Sequence, residues 1–117
     1  MTQGETKRAI SDYVNHYGQY CVIINVAGVP VGDHSKGKRG AFRKNPEMSG
    51  MGDNLICWYG QFIYVEVKKH KKEALRDSQE EHKRRSTNAG AIWWTVLSID
   101  DFITRMEKYN ESRRIVS

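Results

Sequence analysis

The chain has 117 residues, with 19 Lys and Arg against 14 Asp and Glu, a formal net charge of +5 and a pI near 9.3. That length supports one domain spanning residues 1–117 and excludes two independent cores, while the charge suits a polyanionic partner without requiring one. No stretch is apolar enough to span a bilayer and Met1 to Glu5 lacks the apolar core of a secretion signal, so a cytoplasmic protein is expected, nucleoid-associated or in a host cytoplasm if viral.

In residues 2–17, Ile10, Tyr13, Val14 and Tyr17 recur at helical spacing with Lys7, Arg8 and Asp12 elsewhere around the wheel, predicting an amphipathic helix ended by Gly18. Glu5 lies in its first turn, where a carboxylate complements the helix dipole. Residues 19–26 are β-rich and predict the first strand, followed by a turn or edge at 27–30. Residues 32–50 then interleave glycines with Lys36, Lys38, Arg39, Arg43 and Lys44, a composition that predicts an exposed loop. Its end feeds into Asp53, so it reads either as a basic arm suited to phosphate or as a solvated loop with incidental charge.

Two apolar runs joined by a glycine turn, Asn54-Leu55-Ile56-Cys57-Trp58 and Phe62-Ile63-Tyr64-Val65-Glu66-Val67, predict a β-hairpin. With Gly60-Gln61 as the turn, Leu55 faces Glu66 and Asp53 faces Lys68. Alternation then puts Asp53, Glu66 and Lys68 on one solvent-facing side, and Ile56, Trp58, Ile63, Val65 and Val67 on the core side. Two neighbouring carboxylates repel unless a cation lies between them, and hard oxygens favour Mg²⁺ or Mn²⁺. A lysine beside them adds a charge that can orient water or stabilise a phosphorane oxyanion. Taken alone, Glu-x-Lys is a common tripeptide of a solvated strand.

Lys69, Lys71 and Lys72 extend positive charge beyond the second strand, along a nucleic-acid backbone or simply into solvent. Ser78 or Asp77 is expected to cap a helix to about Asn88 that is polar nearly all round. Residues 91–97 predict a buried strand whose helical crossover from the Glu66 strand implies a parallel pair, with Trp93 and Trp94 on opposite faces. Ser98 and Asp101 open a final helix striped by Ile99, Phe102, Ile103 and Met106. The tail, 109–117, is expected to fray. Cys21 and Cys57 read as reduced thiols, and the four histidines lack metal-ligand spacing.

Asp53 with Gly50-Met51-Gly52 before it, the hairpin, Glu66-Val67-Lys68 and Ser78-Gln79 together resemble the PD-(D/E)XK nucleases, and within them the VRR-NUC family, over residues 5–102. Gly52 departs from the proline that often precedes the aspartate there. The resemblance implies an α/β, restriction-endonuclease-like fold, a mixed β-sheet flanked by helices in the order α-β-β-β-α-β-α. It implies Mg²⁺ (or Mn²⁺) held by Asp53, Glu66, the Val67 carbonyl and Glu5, with Lys68 and Gln79 acting on water or phosphate. It further implies a metal-dependent endonuclease that hydrolyses DNA phosphodiesters to a 5′-phosphate and a 3′-hydroxyl, without a small-molecule cofactor. A domain this small would span a Holliday junction or flap better as a homodimer. The alternative is a non-catalytic basic module that holds nucleic acid; a protein-interaction subunit is a third reading.

Overall fold

A computed structural model describes residues 1–24, 29–30, 42–43, 52–70 and 73–116. In chain order the elements are α1 (Gln3–His16), β1 (Tyr20–Ile23), β2 (Val29–Pro30), β3 (Phe42–Arg43), β4 (Asn54–Trp58), β5 (Gln61–Val67), α2 (Asp77–Asn88), β6 (Ile92–Val96) and α3 (Ile99–Val116). The expected α/β order is present, with the short antiparallel ribbon β2–β3 added where only a turn and loop were expected. The main sheet runs β1-β4-β5-β6, antiparallel from β1 to β5 and parallel between β5 and β6, as the helical crossover requires.

The core lies between this sheet and the pair α1 and α3. Ile10 and Val14 from α1 and Phe102 and Met106 from α3 meet Ile56, Ile63, Val65 and Val96, all 0% exposed. Burial of such side chains stabilises the fold by about 1.5–3 kcal/mol each. The opposite sheet face is covered partly by α2, whose His82 meets Tyr64 edge-on and Trp93 at a tilt, while Tyr64 and Trp93 stack on each other. Trp94 turns the other way, onto Phe102 and Tyr109. The two tryptophans therefore serve the two faces.

The hairpin turn is Tyr59-Gly60, one residue earlier than expected. Both residues have positive φ, 46° and 86°, which is the backbone of a two-residue type I′ turn. Pairing consequently runs Leu55 with Tyr64 and Asn54 with Val65, so Leu55 does not face Glu66. The shift displaces each partner by two positions, and two positions preserve the face.

Local chemistry sets the helix ends. Thr2 caps α1 through a reciprocal box, its Oγ1 accepting from Glu5 N at 3.1 Å and Glu5 Oε1 accepting from Thr2 N at 3.3 Å. In α2 the N-cap is Arg76, not Ser78 or Asp77, and its N–H donates to Gln79 Oε1 at 2.9 Å. Ser98 Oγ accepts from Asp101 N at 3.1 Å and Asp101 Oδ2 from Leu97 N at 3.0 Å, as the opening of α3 anticipates. Helix α3 runs past residue 109 to Val116. Asn110 Oδ1 accepts from Trp58 Nε1 at 2.9 Å, and Arg113 lies 5.2 Å from the Tyr59 ring, which gives this last stretch something to hold.

Candidate active site

At the open end of the hairpin, Asp53 N donates to Val65 O at 2.8 Å and Asp53 Oδ2 accepts from Val67 N at 2.6 Å. The aspartate therefore folds back onto the strand that carries Glu66 and Lys68. Alternation puts these residues on the face away from Val65 and Val67, as expected, yet that side is not solvated. Glu66 is 7% and Lys68 5% exposed. Lys68 Nζ lies 3.8 Å from Glu66 Oε1 and donates to Ala74 O at 3.2 Å.

Burial, and after it the Asp53 charge, push the Glu66 carboxyl from its ordinary 4.5 up to about 7, while Gln79, Lys68 and Arg76 pull the other way. Glu66 Oε2 is buried without a hydrogen-bond partner among the described residues. Gln79, 3% exposed, uses its amide oxygen on Arg76 N, which leaves the NH₂ of the same amide for the Glu66 side. Gly52 keeps the space beside Glu66 open. A Cβ there would sit 3.1 Å from Val65 O and 3.6 Å from Glu66 Oε2, and the φ of +91° is closed to proline. Local geometry thus accounts for glycine before Asp53.

Two carboxylates, one with an orphaned buried oxygen, and the Val67 carbonyl form a hard-oxygen set of the kind Mg²⁺ accepts while retaining water ligands. Among the described residues no cluster of three or more His, Cys, Asp or Glu side chains forms a denser cage. The chemistry of these donors fits a hard divalent cation with positions left for water.

Helix α1 meets the site differently from the expectation for Glu5. That carboxylate is spent on the capping box, and its Thr2 hydrogen bonds, backbone first, hold it below its ordinary pKa. The α1 side chains that reach the hairpin are Gln3, whose Nε2 donates to Val67 O at 3.0 Å, and Lys7, whose Nζ lies 2.9 Å from Asp53 Oδ1. Asn54, 0% exposed, donates from Nδ2 to Lys7 O at 3.1 Å and so clamps α1 at that turn. Sequence reasoning missed all three. The available signal was angular: Gln3, Lys7, Ile10 and Val14 follow one stripe, whereas Glu5 stands about 200° from Gln3.

Of the basic residues expected to touch phosphate, Lys69 is exposed, with its backbone N–H donating to Glu73 Oε2 at 2.8 Å. Arg43 belongs to β3. Lys36, Lys38, Arg39, Lys44, Lys71 and Lys72 lie outside the described residues. A cleft of about 540 Å³ runs past Gln3, Val67, Lys68 and Lys69. No described helix is long and apolar enough to cross a membrane.

The fold belongs to a known class. A solved structure described as "VRR_NUC domain" superposes with a TM-score of 0.63 at 18% identity, covering 92% of this chain and 96% of its own. A second, a "VRR_NUC domain protein", gives 0.59 at 14% identity over 95% and 89%. No family model and no curated protein matches the sequence. The chain therefore has the VRR_NUC domain fold over nearly its whole length, as the resemblance of its sequence implies.

Proposed function

We propose that this chain is a Mg²⁺- or Mn²⁺-dependent nuclease that hydrolyses DNA phosphodiesters. The observation that carries the reading is the buried Glu66 carboxylate, with Oε2 unpartnered, beside Asp53 and Lys68 at the end of one hairpin. Asp53, Glu66 and the Val67 carbonyl would hold the ion, which supplies Lewis-acid polarisation and charge neutralisation at the scissile phosphate. Lys68, fixed by Ala74 O, orients the attacking water and faces the developing oxyanion. Gln79, whose amide NH₂ lies on the Glu66 side, orients water or phosphate there. In-line displacement leaves a 5′-phosphate and a 3′-hydroxyl. The cleft beside Lys68 and Lys69 takes the strand, and the basic residues of 36–44 and 69–72 are the candidates for its phosphates. Glu5, held in its cap, serves α1 rather than the ion.

Branched DNA, a Holliday junction or flap, is the substrate structure that suits a small domain acting as a homodimer. One observation favours the second reading, a non-catalytic nucleic-acid-binding module: both Asp53 oxygens already have partners, Lys7 Nζ and Val67 N.

One set of assays separates them. Four-way junctions, flaps and linear duplex are incubated with the full chain in Mg²⁺, Mn²⁺ or EDTA, alongside a gel-filtration mass. The nuclease gives metal-dependent loss of intact substrate, abolished in Asp53→Ala, Glu66→Ala and Lys68→Ala proteins that retain native circular dichroism. Salt-sensitive retention without cutting supports the binding module. Full cleavage by purified Glu66→Ala sinks the mechanism, and a monomer that cuts linear duplex at random sinks the junction assignment.

A further inference from the structure

Lys7 is pinned at both ends. Its carbonyl accepts from the fully buried Asn54 at 3.1 Å, and its ammonium lies 2.9 Å from Asp53 Oδ1, with the two side chains 28% and 17% exposed. A lysine on the solvated side of a helix has no such constraint and spends its rotamer freedom in water. One turn earlier on the same stripe, Gln3 presents a neutral amide to Val67 O. Helix α1 therefore brings an ammonium and an amide to the carboxylates, and no acid.

Asp53 and Glu66 contribute at most two negative charges, and Lys7 and Lys68, with Arg76 close by, already match them before a divalent ion enters. One ion leaves an excess that the phosphate of a bound substrate offsets. A second ion would add two more positive charges beside carboxylates that Lys7 and Lys68 already face.

We infer that the Lys7 ammonium stands in the place of a second cation on Asp53, so that the site takes one divalent ion, on the Glu66 side. In two-metal sites a second ion about 3.5–4 Å from the first clamps the same carboxylate and phosphate. Lys7 supplies a fixed single charge there, with its reach set by Asn54. It is a positioning residue: it holds Asp53 and repels a surplus ion. The inference rests on the metal reading of the preceding section and goes beyond it in the number of ions and in what sets that number.

Mn²⁺ titration of the full chain by calorimetry, with bound ions counted by electron paramagnetic resonance, tests this without any cleavage assay. Wild type is expected to bind one ion. Lys7→Gln, which removes the repulsion, should bind Mn²⁺ about tenfold more tightly. Lys7→Glu, which adds a carboxylate, should bind two ions, and Lys7→Arg, which keeps the charge, should keep the wild-type isotherm. Two ions in wild type, or unchanged or weakened binding in folded Lys7→Gln, overturns the inference while leaving the metal site intact. Wild type that binds no Mn²⁺ overturns both.

Discussion

The two helices flanking the site, α1 and α2, each give their first turns to it, and they do so on different terms. Helix α1 is anchored by the fully buried Ile10 and Val14, and it reaches Asp53 with a full charge through Lys7. Helix α2 buries only Gln79, and it offers Glu66 a neutral amide. Position and chemistry are thus carried by separate residues in α1 and by the same residue in α2. The contrast also locates the demand for positive charge: Asp53 has an ammonium at 2.9 Å, whereas Glu66 has Lys68 at 3.8 Å and one oxygen with no partner among the described residues.

The largest effect that separates the helices comes from Ile10→Ala. It deletes apolar volume from a site with 0% exposure and should cost about 2–5 kcal/mol. Urea unfolding should show a lower midpoint at unchanged slope. Mn²⁺ affinity of the protein that remains folded should equal wild type, because Ile10 does not touch the ion's ligands. A large loss of affinity would mean that anchoring and chemistry are not separable in α1.

Gln79→Ala should do the reverse. It removes the acceptor for Arg76 N and the amide beside Glu66, costing about 1–2 kcal/mol of stability. It should lower metal-dependent cleavage by roughly 10–100-fold, the usual range for groups that orient ligands. Gln79→Glu preserves an acceptor for the cap but adds a like charge beside Glu66, so it should recover stability and not activity. Recovery of both would reduce Gln79 to a capping residue.

The hairpin shows what a sequence discloses and what it conceals. Alternation placed Asp53, Glu66 and Lys68 together because side-chain direction survives any even displacement of register. The partner of each residue depended on which pair takes the left-handed turn. Gly-Gln and Tyr-Gly both contain the glycine a tight turn wants, and the chain uses Tyr59 at φ 46°, an uncommon conformation for a tyrosine. Burial of Glu66 and Lys68 was hidden for another reason: it depends on α2 and the 73–76 segment closing over them, contacts far from the local pattern. Glu5 illustrates competition between two roles for one carboxylate. Thr2 three residues earlier makes the capping box, and the helical stripe through Ile10 passes Gln3 and Lys7 instead.

The smallest effect concerns the charge-poor side next to α2, and its sign follows from linkage. Glu66 has a folded pKa near 7 against an ordinary 4.5, so the fold favours its protonated form. That contribution is fully present below pH 4.5 and is lost as pH rises through 7, which lowers the melting temperature of the metal-free protein across this window. Glu5, Glu73 and Glu81 are shifted downward, so their contributions change below the window. His82 is shifted down by burial, then by Arg85, and opposes the trend inside it, but a comparison at fixed pH cancels His82 because both proteins carry it. At pH 8 without divalent ions, Glu66→Gln should therefore be more stable than wild type by about 1 kcal/mol, or roughly 4 °C. Adding Mn²⁺ should raise the melting temperature of wild type and close the gap, since the ion adds positive charge beside the carboxylate. A Glu66→Gln protein less stable than wild type at pH 8 would mean that Lys68 and Gln79 already satisfy the carboxylate, and the asymmetry between the two helices would lose its electrostatic meaning.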